Sequence, residues 1–228
     1  MGLRLLTAPL LAAVLAACGS SGGSGGASAT SGTASAATAA ATVPAAVTPA
    51  TGAVPWPVPP DPMGLARKAG LTPEPAERLQ YHVHAHLDVF VNGTRTEVPA
   101  GIGIDTSNPA VKSFNLDGGK VGWGLQSECA TPCISPLHTH DPSGIIHTES
   151  ATPTPNVLGQ FFTQWDVPLD VNCVGGYCKP DAPITFYIDG AASTGDPTKI
   201  ELADGREIAI VIGTPPAIIP STFDASAA

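Results

Sequence analysis

The stretch from Tyr81 to Val91 constrains the fold more than any other part of the chain. Val83, Ala85, Leu87, Val89 and Val91 alternate with His82, His84, His86 and Asp88, until Phe90 interrupts the polar series. Side chains two apart on a strand share a face. This segment therefore dictates a sheet with one aliphatic side and one side bearing imidazoles. Asn92-Gly93 follows at once, a pair suited to the two positive φ angles of a tight hairpin, so residues 94–98 should fold back. Further strands are predicted at 144–147, Ile184–Ile188, 200–202 and 207–212, the third before and the last after the Asp204-Gly205 turn. One helix is predicted over 157–165, where Val157, Leu158, Phe161, Phe162 and Trp165 recur at helical spacing behind an Asn156 cap. Its aromatic residues read as a packing face. The expected class is mainly β, an antiparallel β-sandwich or open barrel with one short helix. Residues 103–133 offer no assignable element.

The N-terminal region is of another kind. Arg4 is the only early charge, an apolar run follows, and Leu15-Ala16-Ala17-Cys18 closes it. This is the pattern of a bacterial lipoprotein signal peptide over 1–17, too short to serve as a permanent span. Cys18 is then the lipidated first residue of the mature chain. Residues 19–60 hold no Asp, Glu, Lys, Arg or His and cannot bury a core, so 18–60 reads as a lipidated cysteine and a flexible tether that stiffens where prolines accumulate. The folded domain is expected over 61–222 and a disordered tail over 223–228. The expected location is the outward face of the cell membrane, reached through the lipid anchor.

Charge and thiols narrow the partners. Of ten basic side chains Arg4 leaves with the leader, and nineteen acidic ones remain, giving the mature chain a formal charge of −10. Nucleic acid is disfavoured as a partner, and no basic cluster would draw the domain to an anionic surface. Cys129, Cys133, Cys173 and Cys178 are an even set in an exported chain, which points to two disulfides. Cys173 and Cys178 could close around Gly175-Gly176, leaving Cys129 with Cys133, while a cross-link between the two segments is the competing connectivity.

All six histidines fall in two motifs: His82, His84 and His86 in the first strand, and His138, His140 and His147 in Leu-His-Thr-His-Asp-Pro-Ser-Gly-Ile-Ile-His. Imidazole is the commonest protein ligand for zinc, copper, nickel and non-haem iron. Histidines two apart on a strand stand about 7 Å apart at the backbone and can reach one ion, whereas His82 and His86 are about twice as far apart. Two of the first three are therefore expected to join histidines of the second motif in a three- or four-histidine site. Asp88, Asp141 and Glu149 are placed to orient a ring or complete the coordination. A single H-x-H on a strand is commonly just an exposed polar face. Met63 is the only methionine after the leader and the cysteines pair, so zinc or cupric copper suits the ligand set better than a cuprous ion.

At these residues the chain resembles a family of uncharacterised exported bacterial and archaeal proteins that share H-x-H-x-H-L, L-H-T-H-D-x-S-G-I-I-H-x-E-S and L-G-Q-F-F, matched here at His82 to Leu87, Leu137 to Ser150 and Leu158 to Phe162. The resemblance implies a shared architecture and a shared histidine site. It implies no activity. The residues themselves point first to a metal-binding module of the envelope. The alternatives are a metal-dependent enzyme with three histidines and an open position, with Glu149 or Asp141 as base, and a metal-free interaction domain. Ser143, between Pro142 and Gly144, reads as turn chemistry and not as a nucleophile.

Overall fold

The protein is described by a computed structural model that covers residues 54–225. The leader, Cys18 and the tether up to residue 53 lie outside the described residues, as do 226–228. No helix among the described residues is long and apolar enough to cross a membrane.

In chain order the elements are α1 (Pro62–Lys68), β1 (Tyr81–Val91), β2 (Thr94–Thr96), β3 (Val111–Asn115), β4 (Val121–Leu125), β5 (Leu137–His138), β6 (Ile145–Ser150), α2 (Leu158–Trp165), β7 (Cys173–Val174), β8 (Tyr177–Cys178), β9 (Ile184–Ile188), β10 (Ala191–Ser193) and β11 (Arg206–Ile212). The fold is mainly β, as expected. Seven strands form one sheet in the order β10-β9-β11-β1-β6-β5, with β2 paired to the far end of β1. The sheet is mixed, because β1 and β11 run parallel, with Ala85 opposite Arg206 and Val91 opposite Ile212.

One face of this sheet is the core. Ala85, Leu87 and Val89 of β1 join Ile208, Ile210 and Ile212 of β11, Phe186 of β9 and Ile146 of β6 beneath Leu158, Phe161, Phe162 and Trp165 of α2. Period 2 on the strands and period 3.6 on the helix each present one apolar surface, and the two surfaces meet. On the other face, among the described residues, Phe90, Ala209 and Val211 form a small apolar cluster, with Tyr187 and Ile219 against it. The rest of that face carries the histidines.

Several local expectations are revised. The cap of α2 is Val157 rather than Asn156, its N–H bonded to Gln160 Oε1 at 3.0 Å. Asn156 is buried instead, accepting from Leu202 N and donating to Thr148 Oγ1. Residues 200–202 make only an isolated bridge from Glu201 to Val157, since Ile200 and Leu202 turn inward to the core and Ile200 O accepts from Leu158 N. The tether reading reaches too far, because Trp56 is already core and meets Trp165 edge-on at 5.5 Å. Beyond residue 222, Phe223 stacks on His86 with centroids 5.2 Å apart. Residues 103–133 hold the β3–β4 hairpin and a staple, Cys129–Cys133; the second disulfide, Cys173–Cys178, closes the β7–β8 turn.

Asn92 and Gly93 both take positive φ, 51° and 80°, and turn β1 into β2. Gly144 matters more for the site, because its carbonyl accepts from Leu87 N and its φ is +101°. A Cβ there would stand 2.5 Å from Leu87 O. Gly144→Ala is therefore expected to destabilise the fold by about 1–3 kcal/mol, the cost of holding a side chain in such a backbone state, read as a lowered denaturant midpoint.

Candidate metal centre

Strand register builds the site. On the face away from α2, His84 lies directly opposite His147, and His147 directly opposite His138, so β1, β6 and β5 lay three imidazoles in one row. One step along, His82 faces Glu149. Opposed side chains in such pairs stand about 4.5–5.5 Å apart at Cβ, near enough for their tips to meet. His140 enters two residues after His138, its ring 4.7 Å from that of His147.

The polar tips converge closely. His84 Nε2 lies 2.8 Å from His82 Nε2 and 3.1 Å from His147 Nδ1. His138 Nε2 lies 3.1 Å from His140 Nε2. Glu149 Oε1 stands 3.2 Å from His82 Nε2, 3.5 Å from His147 Nδ1 and 3.8 Å from His138 Nε2. Glu149 is buried, and its Oε2 accepts no hydrogen bond from the described residues.

Backbone carbonyls fix two rings from outside. His138 Nδ1 donates to Ser135 O at 2.9 Å, and His140 Nδ1 donates to Trp123 O at 2.7 Å. A carbonyl can only accept, so in the neutral rings the proton sits on Nδ1 and Nε2 presents its lone pair. The two Nε2 atoms thus aim lone pairs at each other. That contact is repulsive unless a proton or a metal ion stands between them. Trp123 N also donates to His140 O at 2.8 Å, so the β3–β4 hairpin grips His140 twice. Ser135 lies just after Cys133, whose carbonyl and amide are bonded to Asp105 N and Glu74 O, so the Cys129–Cys133 staple braces the segment that orients His138.

Burial disfavours the proton. His138 is held well below the ordinary histidine pKa by burial, then by His140 and His147. Burial and the neighbouring His147 and His82 bring His84 down to about 4. His147 is lowered by burial too, against the pull of Glu149. At neutral pH these three rings are uncharged and offer lone pairs.

His86 stands apart from the other five. Its Nδ1 meets Glu207 Oε2 at 2.8 Å and its Nε2 meets Ser143 O at 3.0 Å, beside an Arg95 that pairs with Asp88. Both ring nitrogens therefore face oxygen acceptors. Burial pulls its pKa down, but the Glu207 hydrogen bond and charge, with Asp88 and Ser143, outweigh that and raise it above the ordinary value. His86 clamps β1 to β11 through Glu207 outside the central cluster, and with Asp88 and Glu207 it forms a separate donor group that could hold an ion. Because the folded-state pKa is raised, its stabilisation is complete below about pH 6.5 and fades as pH rises through that raised value. The gap in melting temperature between wild type and His86→Gln, measured with chelator present, should shrink as pH rises from about 6.5 into the alkaline range.

The carboxylates divide likewise. Glu149 belongs to the cluster, Asp88 to the His86 clamp, and Asp141 caps its own turn by accepting from Ser143 N. Sequence reasoning missed two acids. Glu77 Oε1 lies 3.7 Å from His140 Nε2, its pKa raised by burial and by Glu149. Glu207 reaches His86 through the parallel pairing of β1 with β11. No local pattern marks Glu77, and Glu207 reads as the first polar residue of a strand.

The donors fall into two central groups, His138, His140, His147 and Glu149, and His82, His84 and His147, with all atoms in each within 4.8 Å of one another. Comparison with known protein families, curated proteins and solved structures finds no match.

Proposed function

We propose that this chain is a lipid-anchored protein of the bacterial cell envelope whose domain binds a transition metal, zinc or cupric copper, through its clustered histidines. The observation that carries the metal reading is the pair His138 and His140, whose lone pairs face each other at 3.1 Å while their outer nitrogens are pinned to carbonyls. Two nitrogens about 2.0–2.1 Å from one zinc ion in a tetrahedral shell stand roughly 3.3 Å apart, so the spacing is that of a coordination edge. His147 and the buried carboxylate of Glu149, whose Oε2 accepts no hydrogen bond from the described residues, complete a set of three nitrogens and one oxygen, and the outer carbonyls supply the orienting shell such ligands require.

The test is metal analysis of the full chain, prepared without an affinity tag and dialysed against micromolar zinc or copper. At least one tightly held ion per chain is expected, with a cupric absorption and paramagnetic spectrum separating copper from zinc; a chain that retains neither ion overturns the reading. The anchor is tested separately. Cys18→Ala should abolish incorporation of a labelled fatty acid and release the chain from the membrane fraction, and continued membrane association without label would defeat that half of the proposal.

A metal-dependent enzyme is the second reading, and one observation favours it. A cavity of about 320 Å³, lined by Gly70, Glu74, Pro136, Glu149 and Asn156 among others, borders the residue that carries the cluster's carboxylate. That volume suits a small ligand. Metal-dependent hydrolysis of simple ester substrates, lost in Glu149→Gln, would favour it over storage or transfer.

A further inference from the structure

We propose that the cluster is a binuclear centre, with one ion held by His138, His140, His147 and Glu149 and a second held beside it by His82 and His84, the Glu149 carboxylate bridging the two. This deepens the metal reading and rests on it. The five imidazoles do not point at one spot. They form two close pairs, His138 with His140 at 3.1 Å and His82 with His84 at 2.8 Å, and the two ligand groups overlap only at His147. The second pair is as close as the first. His84 Nε2 has nitrogen neighbours at 2.8 and 3.1 Å, so three imidazole nitrogens converge at this second position.

Glu149 Oε1 lies between the pairs, 3.2 Å from His82 Nε2 and 3.8 Å from His138 Nε2, with His147 Nδ1 at 3.5 Å. One oxygen that borders both ligand sets is what two ions about 3.5–4 Å apart need, since a shared anion offsets their mutual repulsion. Glu77, 3.7 Å from His140 Nε2, brings a second carboxyl group to the same edge. The two positions differ in access. The His138 side chain is 1 % exposed and that of His82 34 %, so the His82–His84 ion is the outer, more weakly held and more readily exchanged one.

The experiment is titration of the metal-free full chain with cupric ion, followed by electron paramagnetic resonance and by equilibrium dialysis. Expected are two ions per chain, with the resonance of the first ion growing to one equivalent and then broadening or vanishing as the second ion couples to it. His82→Ala with His84→Ala should bind one ion, with an uncoupled signal that persists. A wild-type chain that saturates at one ion overturns the binuclear proposal and leaves the metal reading standing. Two ions with no coupling overturn it as well, by placing them apart. No binding at all defeats both. The wild-type titration decides the matter even if the double variant fails to fold.

Discussion

Alanine in place of His147 is expected to strip the domain of tightly bound metal. His147 is the residue common to both ligand groups, set at the middle of the three-strand row between His84 and His138. Loss of a mere orienting partner costs a metal site about 10–100-fold in affinity, and loss of this central donor should exceed that. The side chain is buried on the face away from the main core, in a strand paired on both sides, so the fold should survive, with far-ultraviolet dichroism unchanged. Metal content after dialysis is the readout, and wild-type retention by the variant would show that the imidazoles do not act together. Bound metal would also act on stability. An ion present at a thousand times its dissociation constant stabilises the folded state by about 4 kcal/mol, so a chelator should lower the melting temperature of wild type and leave that of His147→Ala nearly unmoved.

Trp165→Ala should cost the most stability without touching the ligands. Trp165 is buried where α2 meets the sheet, with Phe161 and Phe162 at 5.8 and 5.5 Å and Trp56 edge-on at 5.5 Å. Its indole N–H donates to Pro57 O at 3.2 Å. Truncating a buried tryptophan opens a cavity and costs about 3–5 kcal/mol, a large share of the stability of a domain this size. A urea denaturation curve gives the shift directly. The same change unseats Trp56, so cleavage near residues 56–60 by a protease should accelerate in step with it.

What the sequence disclosed follows the range of the forces involved. The bounds of β1 are legible because alternation over eleven residues is a local signal, and the Asn92-Gly93 turn is legible for the same reason. The two histidine motifs were visible as candidates, and the limited reach of a strand already indicated that one of His82, His84 and His86 would stand outside; that one is His86. The partners of these residues were hidden. Glu207 meets His86 only because β11 returns parallel to β1 from more than a hundred residues away, and nothing near either strand encodes that choice. Trp123 O and Ser135 O are backbone atoms, which any residue type supplies, so the groups that set the histidine tautomers leave no mark in composition. The first helix did carry a signal, Asp61 before Pro62, with Asp61 capping Gly64 N and Arg67 and Lys68 at its end.

The staple from Cys129 to Cys133 gives the site a history. It closes the loop just before Ser135, the residue whose carbonyl sets which nitrogen of His138 is free, so oxidation of the two thiols would brace the geometry of a candidate ligand. A chain still carrying free thiols would hold this loop by its backbone hydrogen bonds alone, and would compete less well for scarce ions. Metal would then be captured only after the polypeptide reaches an oxidising environment, and the ions on offer there, rather than those in the compartment of synthesis, would decide its cargo.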